Sequence, residues 1–358
     1  MKELYTETSQ YRNWNYTKEK LQETRKINHK LAVKRVKKKI MEESILQKQM
    51  SESSSPAYSE QGERVNSPRV NSPKLNPSEI EYLTVEDELA LCKYYQTQIR
   101  AMINQFSVEI RDNKFTDKVW ATAVTFVKRF YLRNTVMNYH PKEIIVTCLF
   151  LAAKSEHSFV SIDEFVKVSK VPKNRIFELE LVVSGSLRYE YTVHHPFIAA
   201  FGYYLDMQNV IKDTNKIKSI YEKSISFIKA SILTDAMFIY QPSQIALTAL
   251  RMAAKQDKFD LSNYLLYKFT SDSHKKVESL YKVLDDIEGT IKNQEQTTFE
   301  QAKLIDKRLL RCKNPEKNPN SAISRKRRLD KEANVEAERK KKKKHEDEYQ
   351  KEISSVFN

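Results

Sequence analysis

The chain has 358 residues, a formal net charge of +15, 40% hydrophobic residues and 30% charged residues. Only four residues are glycine and they lie far apart, which excludes the glycine-rich phosphate loops of kinases, P-loop NTPases and dinucleotide-binding folds. Cys92, Cys148 and Cys312 do not have the spacing of zinc ligands or of a disulfide framework, so we expect no metal and no cofactor.

The positive charge is concentrated at the two ends of the sequence. Residues 1–50 and residues 325–344 each carry a net charge of +7, which leaves +1 for the rest of the chain. A folded nucleic-acid-binding domain would carry its own basic face. We therefore expect a protein partner, no specific nucleic-acid binding by the folded core, and only weak, sequence-independent contact through the tails.

Neither a secretory signal nor a membrane span is expected from the sequence. The first residues, MKELYTET, contain no apolar segment behind a basic start. No window holds 18 consecutive apolar residues, the length that a membrane helix needs. These features predict a soluble intracellular protein.

The first 80 residues divide into two segments of different composition. Residues 1–50 predict a basic helical arm, because Lys18 to Met50 contains neither glycine nor proline, and its Trp14 suggests docking on the core or on a partner. Residues 51–80 are rich in serine and proline and predict a disordered linker or surface loop. Ser67 and Ser72 each precede a proline and a basic residue, as in proline-directed phosphorylation sites; a plain linker remains the alternative.

A helical core follows, and its helix starts can be predicted from local signals. Thr84 with Asp87 forms one capping pair, and Ser161 with Glu164 forms a second. Pro141 stands where a first-turn proline is tolerated. The helix that it opens has a single polar residue, Thr147, between positions 144 and 153. A helix that is apolar on every side must be surrounded by other helices.

The core contains an internal repeat. Tyr139–Lys154 (YHPKEIIVTCLFLAAK) and Tyr240–Lys255 (YQPSQIALTALRMAAK) agree at 8 of 16 positions without a gap, at an offset of 101 residues. This agreement predicts two copies of one helical unit, the first over residues 81–192 and the second over 193–293. The fold class is therefore all-α, with two tandem repeats between N-terminal and C-terminal helices.

The C-terminal part is predicted as a helix over 294–312 and a basic, mostly disordered tail over 313–358. Two basic clusters in this tail, separated by ten residues, have the spacing of a bipartite nuclear-localisation signal and predict a nuclear protein. The first cluster is Arg325, Lys326, Arg327 and Arg328, and the second is Arg339, Lys340, Lys341, Lys342, Lys343 and Lys344.

The sequence offers no pattern of catalytic residues. No two histidines stand at positions i and i+4 on one helix face, and Ser184-Gly185-Ser186 is not a nucleophile elbow. Isolated residues of these kinds are more often structural than catalytic. We therefore predict that the chain is not an enzyme.

Tandem five-helix repeats whose third helix ends Ala-Ala-Lys resemble the cyclin fold. The strings FVKRFYL (126–132), NRIFELELVVSGSLRYEY (174–191) and YQPSQIALTAL (240–250) are most similar to the cyclin H branch of that family. The resemblance implies a non-catalytic subunit that binds and activates a cyclin-dependent kinase. It also implies two further partners, a RING-type assembly subunit and the core of transcription factor TFIIH.

The resemblance further implies which residues contact the kinase. Lys154 occupies the family's kinase-facing lysine at the end of helix three, and Glu180 occupies its partner on helix five. The family's Lys-x-Glu-Glu run here ends with Glu156 and a histidine, so one acidic contact is missing. Tyr189 and Tyr191 occupy the apolar contact positions after helix five. Lys255, the second-repeat counterpart of Lys154, is expected to be a helix cap only.

Three other interpretations remain open at this point. The first, within the same fold, is another transcriptional cyclin. The second is a TFIIB-like general transcription factor, which also uses tandem repeats of this kind, on DNA. A TFIIB-like factor would need a zinc ribbon and basic repeats, which the isolated cysteines and the nearly neutral core disfavour. A scaffold unrelated to any kinase is the third. The substrate-docking patch of cell-cycle cyclins is absent, because helix one reads LALCKYYQTQIR.

Overall fold

Two compact units make up the computed structural model, which describes residues 4–53, 80–110, 115–269 and 274–356. The first unit comprises Met1–Lys30 and Leu83–Lys307, and the second comprises Leu31–Tyr82 and Arg308–Asn358. All regular secondary structure in the described ranges is helical, which confirms the predicted all-α class. The candidate phosphorylation sites Ser67 and Ser72, and nearly all of the predicted linker, lie outside the described residues.

Fifteen α-helices and two short 3-10 helices occur within these ranges. The α-helices are α1 (Ser9–Trp14), α2 (Lys18–Ser53), α3 (Val85–Glu109), α4 (Asp117–Tyr131), α5 (Pro141–Ser155), α6 (Ile162–Ser169), α7 (Lys173–Ser186), α8 (Pro196–Met207), α9 (Thr214–Leu233), α10 (Ala236–Ile239), α11 (Pro242–Gln256), α12 (Ser262–Phe269), α13 (His274–Lys292), α14 (Phe299–Cys312) and α15 (Ala322–Val356). The 3-10 helices are Tyr5–Glu7 and Pro315–Lys317.

The first repeat consists of α3–α7, and the sequence signals for its helix starts are confirmed. Thr84 and Ser161 accept hydrogen bonds from the backbone N–H groups three residues on, and Asp87 and Glu164 bond back to complete two capping boxes. Pro141 is the first residue of α5. The side chains of α5 are buried from its second turn to Ala153, as expected for a helix that its neighbours surround.

The second repeat uses α8, α9 and α11–α13, with the short α10 inserted, and its central helix α11 ends in the same way as α5. His157 after α5 has a φ of 57°, and Lys258 after α11, 101 residues on, has a φ of 53°. In both cases the next backbone N–H bonds a carbonyl five residues back, Ala153 in the first repeat and Ala254 in the second. This left-handed helix end normally favours glycine, yet neither repeat has one there.

A buried lysine joins the two repeats. The Lys128 side chain on α4 donates to the backbone carbonyl of Ile232 at 2.6 Å and to that of Thr234, at the end of α9. Burial lowers the pKa of Lys128 to about 7, and the nearby Asp235 carboxylate offsets only part of this effect. The amine therefore binds two carbonyls from a site where the charged form is disfavoured.

This lysine predicts a stability that rises with pH. Its pKa in the folded chain is lower than in the unfolded chain, so between about pH 7 and pH 10 the unfolded chain holds the proton and the folded chain does not. The free energy of unfolding should then increase by up to about 1.4 kcal/mol per pH unit over that window relative to Lys128→Met. Urea unfolding across this range tests the difference. Lys142→Met, at an exposed lysine, keeps Lys128 and should show the same slope as the wild type. Parallel curves for wild type and Lys128→Met would contradict the prediction.

In the second unit, Glu43 on α2 caps the start of α15. Its carboxylate accepts the backbone N–H groups of Ala322 at 2.8 Å and Ile323 at 2.9 Å. A carboxylate at a helix N-terminus satisfies unpaired N–H groups and interacts favourably with the helix dipole. The helix then continues to Val356.

The helix α15 corrects the prediction of a mostly disordered tail. Residues 322–356 contain no glycine or proline and are rich in lysine, glutamate and arginine, which are good helix formers. Oppositely charged residues one turn apart, such as Glu336 and Lys340 at 2.7 Å, add to this propensity. Charge density alone indicated disorder, whereas propensity and the cap from Glu43 favour a helix.

Candidate functional site

The end of α5 and the middle of α7 carry an ion pair between the two residues expected to contact a partner. The Lys154 ammonium on α5 donates to Glu180 Oε1 on α7, and it lies 4.9 Å from the centre of the Phe150 ring. The Lys154 side chain is 44% exposed and that of Glu180 19%. A half-exposed pair of this kind contributes only about 0–1 kcal/mol to folding. The small contribution of this pair to folding stability therefore does not explain why the two charges lie together here.

Exposed apolar side chains occur on α7 and just after α5, the elements that carry the ion pair, and sequence reasoning missed them. Phe159, which follows α5, is 78% exposed, and Leu181 on α7 is 72% exposed. Phe177 precedes Leu181 by one turn and is also exposed, so the two share a helix face with Glu180 beside them. We call Lys154, Phe159, Phe177, Glu180 and Leu181 the α5–α7 surface.

A sequence signal for this surface exists in the periodicity of α7. Ile176, Leu179 and Val183 are buried and account for the core-facing side of the helix. Phe177 and Leu181 are therefore apolar residues beyond what one buried face needs. Large apolar side chains that are exposed together around a charged pair are typical of protein–protein contact sites.

The structure places the two predicted tyrosines differently. Tyr189 is 65% exposed and stands in a turn where it and Arg188 both have positive φ, 59° and 57°. Tyr191 is half-buried, and its ring packs edge-on against Phe126, with 6.3 Å between the ring centres. Tyr189 is thus available for contact, whereas Tyr191 belongs largely to the edge of the core.

Glu156, the third charged residue expected at the kinase contact, is engaged inside the first repeat. Its side chain is only 8% exposed. It accepts the Thr122 hydroxyl and the Lys118 ammonium, both on α4, at 2.7 Å. The carboxylate therefore ties the end of α5 to α4 and does not face solvent.

The second repeat has an equivalent interaction, in which a carboxylate after the third helix is bound by a hydroxyl and a lysine of the second helix. Asp257, 101 residues after Glu156, accepts the Ser219 hydroxyl at 3.2 Å and the Lys223 ammonium, both on α9. Ser219 and Lys223 lie 101 residues after Lys118 and Thr122, so the lysine and the hydroxyl have exchanged positions between the repeats. This recurrence indicates a structural role for Glu156.

Lys255 is more than the helix cap that the sequence suggested. Its ammonium donates to Glu288 on α13 at 2.8 Å, and Glu288 also accepts bonds from Arg251 and Lys292. Burial raises the pKa of Glu288, but the hydrogen bonds from Lys255 and Lys292 outweigh this effect and lower the pKa to about 2. Each repeat therefore pairs the lysine at the end of its third helix with a glutamate on its fifth.

The two repeats differ in what surrounds this pair. On the described side chains of α13, the exposed positions include Glu278, Lys282, Asp285 and Asp286 and no large apolar residue. The equivalent helix of the first repeat, α7, exposes Phe177 and Leu181 instead. Among the described residues, the helix that supplies the glutamate exposes large apolar side chains in the first repeat and none in the second.

The N-terminal arm docks on the first unit through Trp14, one of the two outcomes that the sequence suggested. The indole is 2% exposed, and its N–H donates to Glu190 Oε2 at 2.7 Å. The guanidinium of Arg129 lies 4.8 Å from the ring centre, a cation–π geometry. Trp14 also shares a buried cluster with Leu21 and Phe238, so the arm up to Lys30 is an integral part of this unit.

Two family models match the chain over its repeats. The cyclin N-terminal domain matches residues 74–192, and the cyclin C-terminal domain matches residues 195–292. The chain is a cyclin. This assignment confirms the family resemblance and, together with the observed helices, the tandem-repeat fold.

Several curated relatives of this cyclin carry related names. Cyclin CCL1 of Saccharomyces cerevisiae is 32% identical over 272 residues, which cover 75% of this chain and 62% of the relative. Cyclin mcs2 of Schizosaccharomyces pombe is 29% identical over 335 residues, or 92% and 91% of the two chains. Cyclin-H of Xenopus laevis is 29% identical over 247 residues, or 67% and 75%. The chain thus spans less than two thirds of the budding-yeast relative.

Solved structures resemble this cyclin in fold. A chain of the Chaetomium thermophilum CAK complex bound to ATP-gamma-S has a TM-score of 0.70 at 22% identity, with 92% of this chain and 94% of that chain covered. A chain of the yeast TFIIK complex of Kin28, Ccl1 and Tfb3 has a TM-score of 0.58 at 28% identity and covers 80% of this chain. Among the described residues, no helix has the length and apolar character needed to cross a membrane, and no group of His, Cys, Asp and Glu is arranged to hold a metal ion.

Proposed function

We propose that this cyclin is the non-catalytic regulatory subunit of a cyclin-dependent kinase, and that the kinase binds the α5–α7 surface. The observation that carries the proposal is an asymmetry between the repeats. Both have the lysine–glutamate pair, and among the described residues the helix that supplies the glutamate exposes large apolar side chains in the first repeat and none in the second. The relatives named cyclin H, and a similarity to a chain of the yeast TFIIK complex, support the same proposal.

Activation then follows from selective binding to one kinase conformation. A protein kinase transfers phosphate only when the glutamate of its αC helix pairs with the catalytic lysine. A subunit that binds αC in that arrangement, and binds the inactive arrangement less well, shifts the population towards the active kinase. A surface that combines exposed apolar side chains with an ion pair suits this role because the apolar contacts supply affinity and the charges fix the orientation.

The finer proposal is a kinase-activating kinase complex of the cyclin H type. Its substrates would be the activation loops of other cyclin-dependent kinases and, within TFIIH, the C-terminal repeats of RNA polymerase II. A RING-type subunit and the TFIIH core would complete the assembly. The relatives' names, and the three-subunit TFIIK complex with a chain similar to this one, support this assignment over that of another transcriptional cyclin.

Affinity purification of the tagged chain, followed by mass spectrometry, tests this proposal. The wild type should recover a cyclin-dependent kinase together with a RING-type protein and TFIIH subunits. Leu181→Asp, which places a charge in the apolar surface, should lose the kinase, whereas Leu304→Asp, at an exposed leucine of α14, should retain it. Recovery of promoter DNA and polymerase without any kinase would favour the TFIIB-like interpretation instead.

We also propose that the two basic clusters direct this cyclin to the nucleus. Their side chains are exposed along α15, so replacing residues 339–344 by glutamine should lower nuclear enrichment and leave the melting temperature unchanged. A matched control replaces Lys34, Lys37 and Lys38, exposed lysines on α2, in the same way. Fluorescence microscopy of the tagged chain, expressed without its partners, measures the effect. Equal nuclear enrichment of both variants and the wild type would rule out the signal.

A further inference from the structure

The turn that presents Tyr189 has a conformation that requires outside support. Arg188 and Tyr189 have φ values of 57° and 59°, a left-handed region that disfavours residues with a Cβ. Such residues persist where the surrounding structure fixes them. Because two consecutive residues, neither of them glycine, have this conformation, contacts that stabilise the turn are important.

The N-terminal helix α1 supplies that contact on both sides of Tyr189. The Asn13 side chain accepts a bond from Arg188 Nη1 at 3.1 Å and donates to Glu190 Oε1 at 2.6 Å. The Trp14 indole N–H donates to the second oxygen of Glu190 at 2.7 Å. Both neighbours of Tyr189 are therefore bound to a helix that lies about 175 residues away in sequence.

The core also holds this turn, through the backbone of Glu190. The Arg129 guanidinium on α4 donates to the backbone carbonyl of Glu190 at 3.3 Å while lying against the Trp14 ring. Burial lowers the pKa of Arg129 to about 10, so it remains a cation at neutral pH. Since Trp14 is buried and Asn13 is only half-buried, the indole anchors α1 and the asparagine engages the turn.

We propose that α1 is a clamp that fixes the 188–190 turn, and that Asn13 is a positioning residue which presents the Tyr189 ring to the kinase. The second half of this proposal rests on the proposed kinase-binding function, and the first half does not. The clamp lowers the conformational freedom that Tyr189 would otherwise lose on binding, which is how preorganisation raises affinity. The N-terminal arm thereby governs the kinase contact through Tyr189.

Hydrogen exchange of the free chain tests the clamp without any kinase. Asn13→Ala removes both bonds to the turn, and we expect amide exchange at residues 188–190 to rise roughly tenfold, while α11 exchanges as in the wild type. Asn209→Ala, at an exposed asparagine between α8 and α9, is the matched control and should leave the turn unchanged. Unchanged exchange at 188–190 in Asn13→Ala would overturn the clamp.

A double-mutant cycle tests the positioning role. With the kinase that co-purifies with the wild-type chain, we expect Asn13→Ala to weaken binding roughly tenfold in the wild-type background and to have no further effect in Tyr189→Ala. An equal loss in both backgrounds would mean that α1 acts by another route and would overturn the role of Asn13. A wild-type chain that binds no kinase would refute the proposed function, and the exchange experiment would still decide the clamp.

Discussion

Replacing Lys154 with alanine is expected to weaken kinase binding by roughly 30-fold to several thousand-fold, equivalent to about 2–5 kcal/mol. The reason is that Glu180, whose side chain is already mostly buried in the free chain, would lie beneath the kinase as an unpaired carboxylate. Glu180→Ala should have a similar effect because it leaves the lysine without its partner. Surface plasmon resonance or calorimetry with the purified kinase measures the loss.

The second repeat supplies the control for this experiment. Lys255 pairs with Glu288 in the same way, and Glu288 keeps Arg251 and Lys292 when Lys255 is removed. Lys255→Ala should therefore leave kinase binding unchanged. Circular dichroism and melting should barely change for Lys154→Ala as well, since its pair is half-exposed. If Lys255→Ala weakens binding as much as Lys154→Ala does, the kinase contact lies elsewhere.

Trp14→Ala is expected to lower the free energy of unfolding by about 3–5 kcal/mol, the range measured for large aromatic residues in protein cores. The change removes a buried ring, the donor to Glu190 and the surface against which Arg129 lies. The buried Arg129 would then lose one of its favourable contacts. Urea unfolding followed by circular dichroism measures the effect.

An exposed residue of the same arm provides the comparison. Leu4 is largely exposed, so Leu4→Ala should change the free energy of unfolding by less than about 0.5 kcal/mol. A loss below about 1 kcal/mol for Trp14→Ala would mean that the arm is loosely held. In that case the support of the 188–190 turn by α1 would also lose its basis.

Local chemistry explains why much of the fold could be predicted from the sequence. Capping boxes at Thr84 and Ser161 and the proline at the start of α5 act within one turn, so the residues that define each helix start are adjacent in sequence. The repeat could be detected because its central helix is buried in both copies and tolerates few substitutions. The lysine–glutamate pair of the first repeat came from the family resemblance, and the structure brings the two residues together.

The parts that could not be predicted depend on distant contacts or on side-chain direction. The family motif marks Glu156 as a contact residue from its place in the sequence. Only the three-dimensional structure shows that its carboxylate binds Lys118 and Thr122. The hydrogen-bond partner of Trp14 is Glu190, 176 residues away, and no local sequence pattern predicts that the two residues are in contact. The exposure of Phe177 and Leu181 could be predicted only by knowing which face of α7 is buried.

The exchanged lysine and hydroxyl beneath Glu156 and Asp257 bear on how the two repeats diverged from a common unit. Stepwise exchange must pass through either two lysines or two hydroxyls next to one carboxylate. At Glu156, two hydroxyls would replace the Lys118 ammonium and leave a mostly buried carboxylate without that cation, which is costly. Two lysines are tolerated, because Asp257 has both Lys223 and Lys216 nearby, the latter at 3.9 Å. Of the two intermediates, the doubly basic one keeps a cation beside the carboxylate at each step, and the two lysines near Asp257 show that such an arrangement fits.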